Sequence, residues 1–129
     1  MGKDKLRKFN EIGQMSCVVE PSPEEARNGL PLKGNWAKDQ FSNSNGLVLE
    51  LGCGKGEYTV ELARRNPDKN HIGIDIKGAR LWRGAKTATE EGLNNVGFLR
   101  TRIDWIDQCF GSNEVDEIWI TFPDPQIKY

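Results

Sequence analysis

The sequence is poor in the residues that most often bind metals or act as nucleophiles. It contains one histidine and three cysteines in 129 residues, and the cysteines lie far apart, at Cys17, Cys53 and Cys109. No Cys-x-x-Cys pair and no cysteine–histidine cluster occurs, which argues against a zinc site, and we expect no metal. A Ser-His-Asp or Cys-His mechanism would have to use His71, which follows a turn-forming stretch and is expected on the surface.

Long apolar runs are also missing. None approaches the roughly 20 residues that a membrane-spanning helix requires. The N-terminus is charged and lacks the apolar core of a signal peptide, and Leu6 stands where a myristoylation signal has serine or threonine. These features predict a cytoplasmic protein with no membrane partner.

Charge of one sign is not in excess. Lysine and arginine number 18, aspartate and glutamate number 19, and the formal net charge is −1. A protein that binds nucleic acid over its whole surface is usually basic, so that class is disfavoured, whereas a local basic face is not. Basic residues are concentrated in two places, at Lys3, Lys5, Arg7 and Lys8 and at Lys77, Arg80, Arg83 and Lys86. A phosphate-binding face and an ordinary solvated face both remain open for these clusters.

The chain divides into two segments of different character. Residues 1–45 are poorly periodic, contain the turn-forming Pro21-Ser22-Pro23, and predict an N-terminal extension with at most one short helix. Residues 46–129 contain four short runs rich in β-branched or aromatic residues, which predict buried strands. These runs are Leu47–Leu51, Ile72–Ile74, Val96–Leu99 and Ile118–Phe122.

Helical patterns separate the first three predicted strands. One spans residues 57–65 and stops at Asn66-Pro67, and the other spans residues 79–91 and stops at Gly92. Strand, helix and strand at this spacing predict βαβ units, and therefore an α/β fold with a parallel sheet. Between the third and fourth strands the pattern predicts only a short helix within residues 103–110.

Glycines follow the first predicted strand, in Gly52-Cys53-Gly54-Lys55-Gly56, directly before a helix. Glycine permits unusual backbone angles and lets a ligand approach the main chain, and a helix N-terminus favours an anionic group. Asp75 ends the second predicted strand, where an acidic residue can bind ribose hydroxyls. Together they predict an adenosine-containing cofactor at the carboxyl edge of the sheet. A turn that only connects strand to helix is the simpler alternative.

The spacing of the glycines separates the cofactor classes. A dinucleotide fingerprint would need glycine where Glu57 stands, and no P-loop signature follows, so a nicotinamide-dependent oxidoreductase is disfavoured. The pattern E-x-G-x-G-x-G resembles motif I of the class I S-adenosyl-L-methionine (SAM) methyltransferases. That resemblance implies that Gly52 and Gly54 face the methionine part of SAM and that Asp75 holds the ribose. It also implies that Glu50 orients the ammonium group, directly or through water.

A rigid acidic turn follows the fourth predicted strand. Pro123 and Pro125 restrict the backbone on both sides of Asp124. In parallel sheets the strands next to the first one end beside the cofactor, where a carboxylate can point at a substrate. A solvated loop aspartate is the alternative.

Four stretches resemble the bacterial tRNA (guanine-N7)-methyltransferases: residues 49–57, 73–77, 91–96 and Phe122-Pro123-Asp124-Pro125, the last being the most specific. The resemblance covers essentially all of residues 46–129 and implies methyl transfer from SAM to N7 of a guanine in the tRNA variable loop. It assigns Asp124 to catalysis and cofactor binding and Lys128 to the substrate. Arg102 aligns with a cofactor-contacting position where the family often has aspartate or asparagine. A SAM methyltransferase with another substrate is the alternative.

The resemblance also implies a Rossmann-like class I methyltransferase sheet of seven strands, of which only the first four parallel strands are expected here. Residues 46–129 would form the N-terminal half of the SAM-binding domain, and residues 1–45 an extension that could contact tRNA. Because the chain stops at Tyr129, we expect a C-terminally truncated protein. The open strand edge could allow oligomers, and the chain alone could be an inactive cofactor-binding fragment or a non-catalytic binding module.

Overall fold

The computed structural model describes residues 2–120 of the chain. Within this range four α-helices form: α1 (Gly2–Ile12), α2 (Pro23–Asn28), α3 (Glu57–Arg65) and α4 (Gly78–Glu91). Five strands form as well: β1 (Val18–Val19), β2 (Leu47–Leu51), β3 (Asn70–Asp75), β4 (Val96–Arg100) and β5 (Val115–Ile120). A π-helical turn at Trp36–Gln40 and a 3₁₀ helix at Ile103–Gln108 complete the described elements.

All five strands belong to one parallel sheet with the order β1-β4-β3-β2-β5. The chain runs outward from β2 through α3, β3 and α4 to β4, and then returns to pair β5 with the other side of β2. The strand order therefore reverses at β2. Open α/β sheets bind ligands at the carboxyl ends of the strands at such a reversal, so the topology itself marks one end of β2.

The four predicted parallel strands are confirmed, but they are not the only strands. The extension adds β1, in which Val18 pairs with Phe98 and Val19 with Leu99 at the edge of β4. A two-residue strand has no periodicity of its own, and this explains why the sequence did not predict it. The last strand also begins earlier than predicted, at Val115 instead of Ile118.

Both predicted helices between the strands are confirmed. Helix α3 spans the predicted residues, and α4 begins one residue earlier than predicted. Gly92 ends α4 in the left-handed conformation, with φ of 66°, and its amide closes the last turn of the helix. Glycine adopts this conformation without the steric penalty of a side chain, so the stop signal in the sequence has a direct structural cause.

The prediction that the extension holds at most one short helix is wrong. Both α1 and α2 form there, and a capping box between Ser22 and Glu25 starts α2. Trp36 is completely buried, donates its indole N–H to the carbonyl of Cys109 at 2.7 Å and stacks on Phe110. Single large side chains anchor this segment to the sheet, and single residues leave no periodic signal in a sequence.

The core has two layers, because successive side chains of a strand point to opposite faces of the sheet. Leu49, Ile72 and Ile74 face the layer that contains Trp36, whereas Phe98 and Val96 face α3 and α4.

The expectation that His71 lies on the surface is wrong. The residue is only 2% exposed in β3, and its backbone amide donates to the carbonyl of Asn95. Burial lowers the pKa of the imidazole, which favours the neutral form.

The loop after β2 and helix α4 approach each other through two glycines. A β-carbon on Gly84 would lie 2.6 Å from the Phe98 ring, 2.9 Å from the Lys55 carbonyl oxygen and 3.1 Å from the Gly56 Cα. Phe98 is itself fully buried, so it has little space into which it can move. Helix α4 can therefore reach the loop only because Gly84 has no side chain.

We expect Gly84→Ala to lower the free energy of unfolding by about 1–3 kcal/mol because the added methyl group overpacks this contact. Alanine normally stabilises a helix interior by roughly 1 kcal/mol relative to glycine. A loss of stability in Gly84→Ala would therefore indicate the close contact, and a gain would indicate its absence. Urea unfolding followed by circular dichroism measures it. Thr87→Ala on the same helix is the control and should stabilise slightly. A stabilised Gly84→Ala protein would contradict the close contact.

Candidate functional site

A cavity of about 460 Å³ lies at the carboxyl ends of three neighbouring strands. Gly52 follows β2, Asp75 and Ile76 lie at and after the end of β3, and the segment after β4 supplies the rest of the lining. That segment contributes Thr101, Arg102, Ile103 and Asp104. Parallel strands bring these ends together, and the cavity lies beside the reversal of strand order at β2, as the sequence predicted for a ligand site.

Asp75 is held in place by backbone amides before any ligand is considered. It is 8% exposed. One carboxylate oxygen accepts the Gly54 N–H at 2.9 Å, and the other accepts the Lys77 N–H at 3.0 Å. An ionised carboxylate has about four acceptor sites, so two remain for a ligand in the cavity. The side chain is thus oriented without being saturated.

The glycine loop turns its backbone toward open space. Gly52 and Gly54 have φ of 69° and 58°, in the left-handed region. Among the described residues other than their chain neighbours, no atom lies within 4 Å of the position where either side chain would begin. The amides of Gly52 and Cys53 both donate to the carbonyl of Ile74, at 2.8 and 3.0 Å. The loop is consequently pinned to the end of β3, with its glycine faces free for a ligand to approach.

Glu50 lies deeper than the other predicted site residues. It is 3% exposed, accepts a hydrogen bond from the Thr59 hydroxyl on α3, and is not among the described residues that line the cavity. Its predicted contact with an ammonium group stays a prediction. Burial, together with the negative charges of Glu50 and Asp75, raises the pKa of the Cys53 thiol well above its ordinary value. Cys53 therefore remains protonated at neutral pH and is a poor nucleophile.

Arg102 lines the cavity at the predicted position. Its guanidinium donates to Asp104 at 2.8 Å and lies 5.2 Å from the ring centroid of Trp105. The hydrogen bond from Arg102 lowers the pKa of the Asp104 carboxyl. At the cavity wall the positive charge of Arg102 is thus neutralised by Asp104. The contact between Arg102 and the cofactor stays a prediction.

Four lining residues were not predicted from the sequence: Ile76, Thr101, Ile103 and Asp104. The side chains of Ile76 and Ile103 are 50% and 42% exposed and give the cavity apolar walls. Thr101 is 3% exposed, yet its hydroxyl oxygen has no hydrogen-bond partner among the described residues. A buried hydroxyl without a partner is costly, and one that borders a cavity is suited to a ligand. Its position directly after a strand was the available signal.

Two of the predicted residues, Asp124 and Lys128, lie outside the described residues 2–120. Within that range no group of three or more histidine, cysteine, aspartate or glutamate side chains is arranged to hold a metal ion. Among the helices of the same range, none has the length and apolar character that crossing a bilayer demands.

Comparison with known proteins identifies the family. A model of the family Methyltransf_4, described as "Putative methyltransferase", matches residues 44–129. The chain belongs to this methyltransferase family. The match begins just before β2 and includes the glycine loop, Asp75 and every residue that lines the cavity.

Curated relatives of the chain carry a more specific name. A tRNA (guanine-N(7)-)-methyltransferase of Christiangramia forsetii is 66% identical over 128 residues, which cover 98% of this chain and 57% of the relative. A protein of the same name from Bacteroides fragilis is 53% identical over 130 residues, which cover 99% of this chain and 51% of the relative. The chain thus spans about half the length of the curated relatives it matches.

Solved structures with a similar fold include an antibiotic-related methyltransferase. This methyltransferase superposes with a TM-score of 0.58 at 22% identity, covering 78% of this chain and 51% of that one. PKMT2 from Rickettsia typhi, in complex with AdoHcy, superposes with a TM-score of 0.50 at 22% identity, covering 91% of this chain and 18% of that one. The chain therefore has the Rossmann-like fold of class I methyltransferases, and the predicted fold class is confirmed.

We expect Asp75→Asn to loosen the glycine loop of this protein. Asparagine has one side-chain acceptor oxygen, so its NH₂ group would face either the Gly54 or the Lys77 amide without a bond. The loss should cost about 1–3 kcal/mol of unfolding free energy. Hydrogen exchange at these two amides measures the local effect and should become faster at one of them.

Asp104→Asn is the matched control, because Asp104 is an exposed carboxylate of the same cavity whose side chain bonds the Arg102 side chain. It should change stability by less than about 0.5 kcal/mol. Unaltered exchange at both amides in Asp75→Asn would contradict the anchoring role.

Proposed function

We propose that the protein is a SAM-dependent methyltransferase that acts on N7 of a guanine in tRNA, in the variable loop. The observation that carries the proposal is the anchored Asp75 carboxylate, which borders a cavity beside a glycine loop. The names of the curated relatives support the substrate. The same proposal makes tRNA the partner and the cytoplasm the compartment.

The described residues suit each part of SAM. The two remaining acceptor sites of Asp75 would take the ribose hydroxyls, and the open faces of Gly52 and Gly54 would take the methionine part. Ile76 and Ile103 offer apolar walls of the kind that an adenine ring prefers. The unpartnered hydroxyl of Thr101 would complete its hydrogen bonding on the polar edge of the same base. Bound there, SAM supplies an electrophilic methyl group.

The chemistry makes few demands on the protein. Guanine N7 has a free lone pair, so no base is needed to remove a proton before methylation. The enzyme must mainly bring N7 to within roughly 3–3.5 Å of the methyl carbon, in line with the bond that breaks. Guanine becomes positively charged in the transfer. A carboxylate at Asp124 would stabilise that charge or accept hydrogen bonds from the guanine edge, and Lys128 would contact the RNA.

The outer edge of β5 bears on the oligomeric state. Ile118, Trp119 and Ile120 are exposed there, and within residues 2–120 β5 pairs with no strand other than β2. Pairing of two copies through this edge remains a prediction.

Calorimetric titration with SAM, S-adenosylhomocysteine and NADH tests the cofactor. We expect binding of the first two and not of NADH. Thr101→Val should weaken SAM binding about 5- to 10-fold, because the hydroxyl that pairs with the ligand is lost. The same variant should be at least as stable as the wild type, because a buried unsatisfied group is removed.

Thr87→Val, on α4 and away from the cavity, is the control and should bind SAM normally. Binding of NADH alone would contradict the methyltransferase proposal. Failure of a folded chain to bind any of the three ligands would contradict the proposed site.

The reaction is tested in the cells that contain the protein. We expect deletion of its gene to remove N7-methylguanine from tRNA, measured by mass spectrometry of digested tRNA, and the wild-type gene to restore it. Asp124→Ala should not restore it, whereas Asp68→Ala, a change in the exposed turn before β3, should. Unchanged N7-methylguanine after the deletion would contradict the substrate, and full restoration by Asp124→Ala would contradict the catalytic carboxylate.

A further inference from the structure

Helices α1 and α4 pack side by side and bring the two basic clusters of the sequence together. Ile12, at the end of α1, lies against Gly78, at the start of α4. Arg7 and Lys8, one turn earlier in α1, lie over Trp82, one turn later in α4. The two helices are thus antiparallel. Arg7 and Lys8 of the extension therefore share a face with Arg83 and Lys86 of α4.

Trp82 is the centre of this shared face. Four cationic groups lie 4.7–5.6 Å from its ring centroid, those of Arg7, Lys8, Arg83 and Lys86. The residue is 5% exposed, and its indole N–H donates to Glu11 at 2.8 Å. The ring is therefore too covered to stack on a nucleotide base. Its role is to hold four flexible cations at fixed positions, through the attraction between a cation and an aromatic face.

The charge of this face is only partly compensated. Arg7 pairs with Asp4 and Glu11, Lys8 pairs with Asp4, and Lys86 pairs with Glu90. Arg80 and Arg83 are exposed on α4 and form no ion pair with any described residue. On α3, by contrast, Arg64 and Arg65 both pair with Glu61, and Arg64 also pairs with Glu91.

A row of basic residues leads away from the cavity along α4. Lys77, Arg80, Arg83 and Lys86 recur every third residue, so each is a neighbour of the next and the row turns gradually about the axis of α4. The amide of Lys77 donates to Asp75, which lines the cavity. With a rise of about 1.5 Å per residue, the row extends roughly 14 Å from that point. A polyanion bound along it would begin at the cavity mouth.

We propose that this α1–α4 face binds the sugar-phosphate backbone of the RNA whose guanine enters the cavity. This inference rests on the proposed function, which makes tRNA the substrate. The positive charge of the face then explains how the RNA is held. Contacts to phosphates position a nucleic acid without reading its sequence, and each releases counterions. Arg80 and Arg83 are the principal contacts, because no carboxylate of the described chain competes for them.

The test compares two variants that remove the same charge. Arg80→Gln/Arg83→Gln removes the uncompensated pair, and Arg64→Gln/Arg65→Gln removes two compensated arginines from α3. Fluorescence anisotropy with labelled tRNA gives the dissociation constant of each protein between about 50 and about 200 mM salt. For the first variant we expect the slope of log affinity against log salt to be shallower by about 2, and affinity at the lowest salt about ten-fold weaker. The α3 variant should stay within about two-fold of the wild type.

SAM titration of the same proteins separates this inference from the proposed function. Both variants should bind SAM as the wild type does. If the wild type does not bind SAM, the proposed function is overturned, and the salt slopes of tRNA binding still test the α1–α4 face. Equal slopes for the two variants, or no tRNA binding by the wild type, would overturn the RNA face. Poly-glutamate binding as tight as tRNA binding, and equally sensitive to Arg80 and Arg83, would assign the face to an acidic protein instead.

Discussion

Hydrogen bonds to Asp75 hold together the three segments that form the cavity. Its carboxylate accepts the amide of Gly54, from the loop after β2, and the amide of Lys77, from the start of α4. Its carbonyl accepts the amide of Thr101, from the segment after β4, at 3.1 Å. One residue at the end of β3 therefore sets the relative positions of every segment that lines the site. The acceptor sites that remain on Asp75 are therefore already in position before a ligand binds.

The same connection determines where α4 begins and which way its basic side faces. The helix is held at its start by the Lys77 amide and in its middle by the contact of Gly84 with Phe98 and the glycine loop. These two contacts fix the rotation of α4 about its axis. Helix α1 then packs against the part of α4 that contains Trp82. The cavity and the cationic face are thus consequences of one packing arrangement, although they lie on different elements.

The sequence was most informative where a pattern is local. Strong stops at Pro67 and Gly92 and short β-branched runs predicted α3, α4 and the four main strands, and the glycines with Asp75 predicted the site. It was least informative where a role depends on a distant partner. The strand β1 exists only because Val18 meets Phe98, and Trp36 is buried only because Cys109 and Phe110 lie opposite. The position of Thr101 directly after β4 was a signal in the sequence, but only the structure shows that its hydroxyl has no hydrogen-bond partner among the described residues.

The protonated state of Cys53 has a consequence for the durability of the protein under the proposed function. A sulfonium methyl donor reacts with any thiolate that it meets, and this cysteine stands in the loop that we propose to face the methionine part of SAM. Burial and two nearby carboxylates hold its pKa well above the ordinary value. With SAM bound as we propose, the protein would keep a sulfur atom near an alkylating agent in the form that reacts least. Under the proposed function, chemical selectivity for the guanine nitrogen would begin with suppression of a competing nucleophile inside the protein itself.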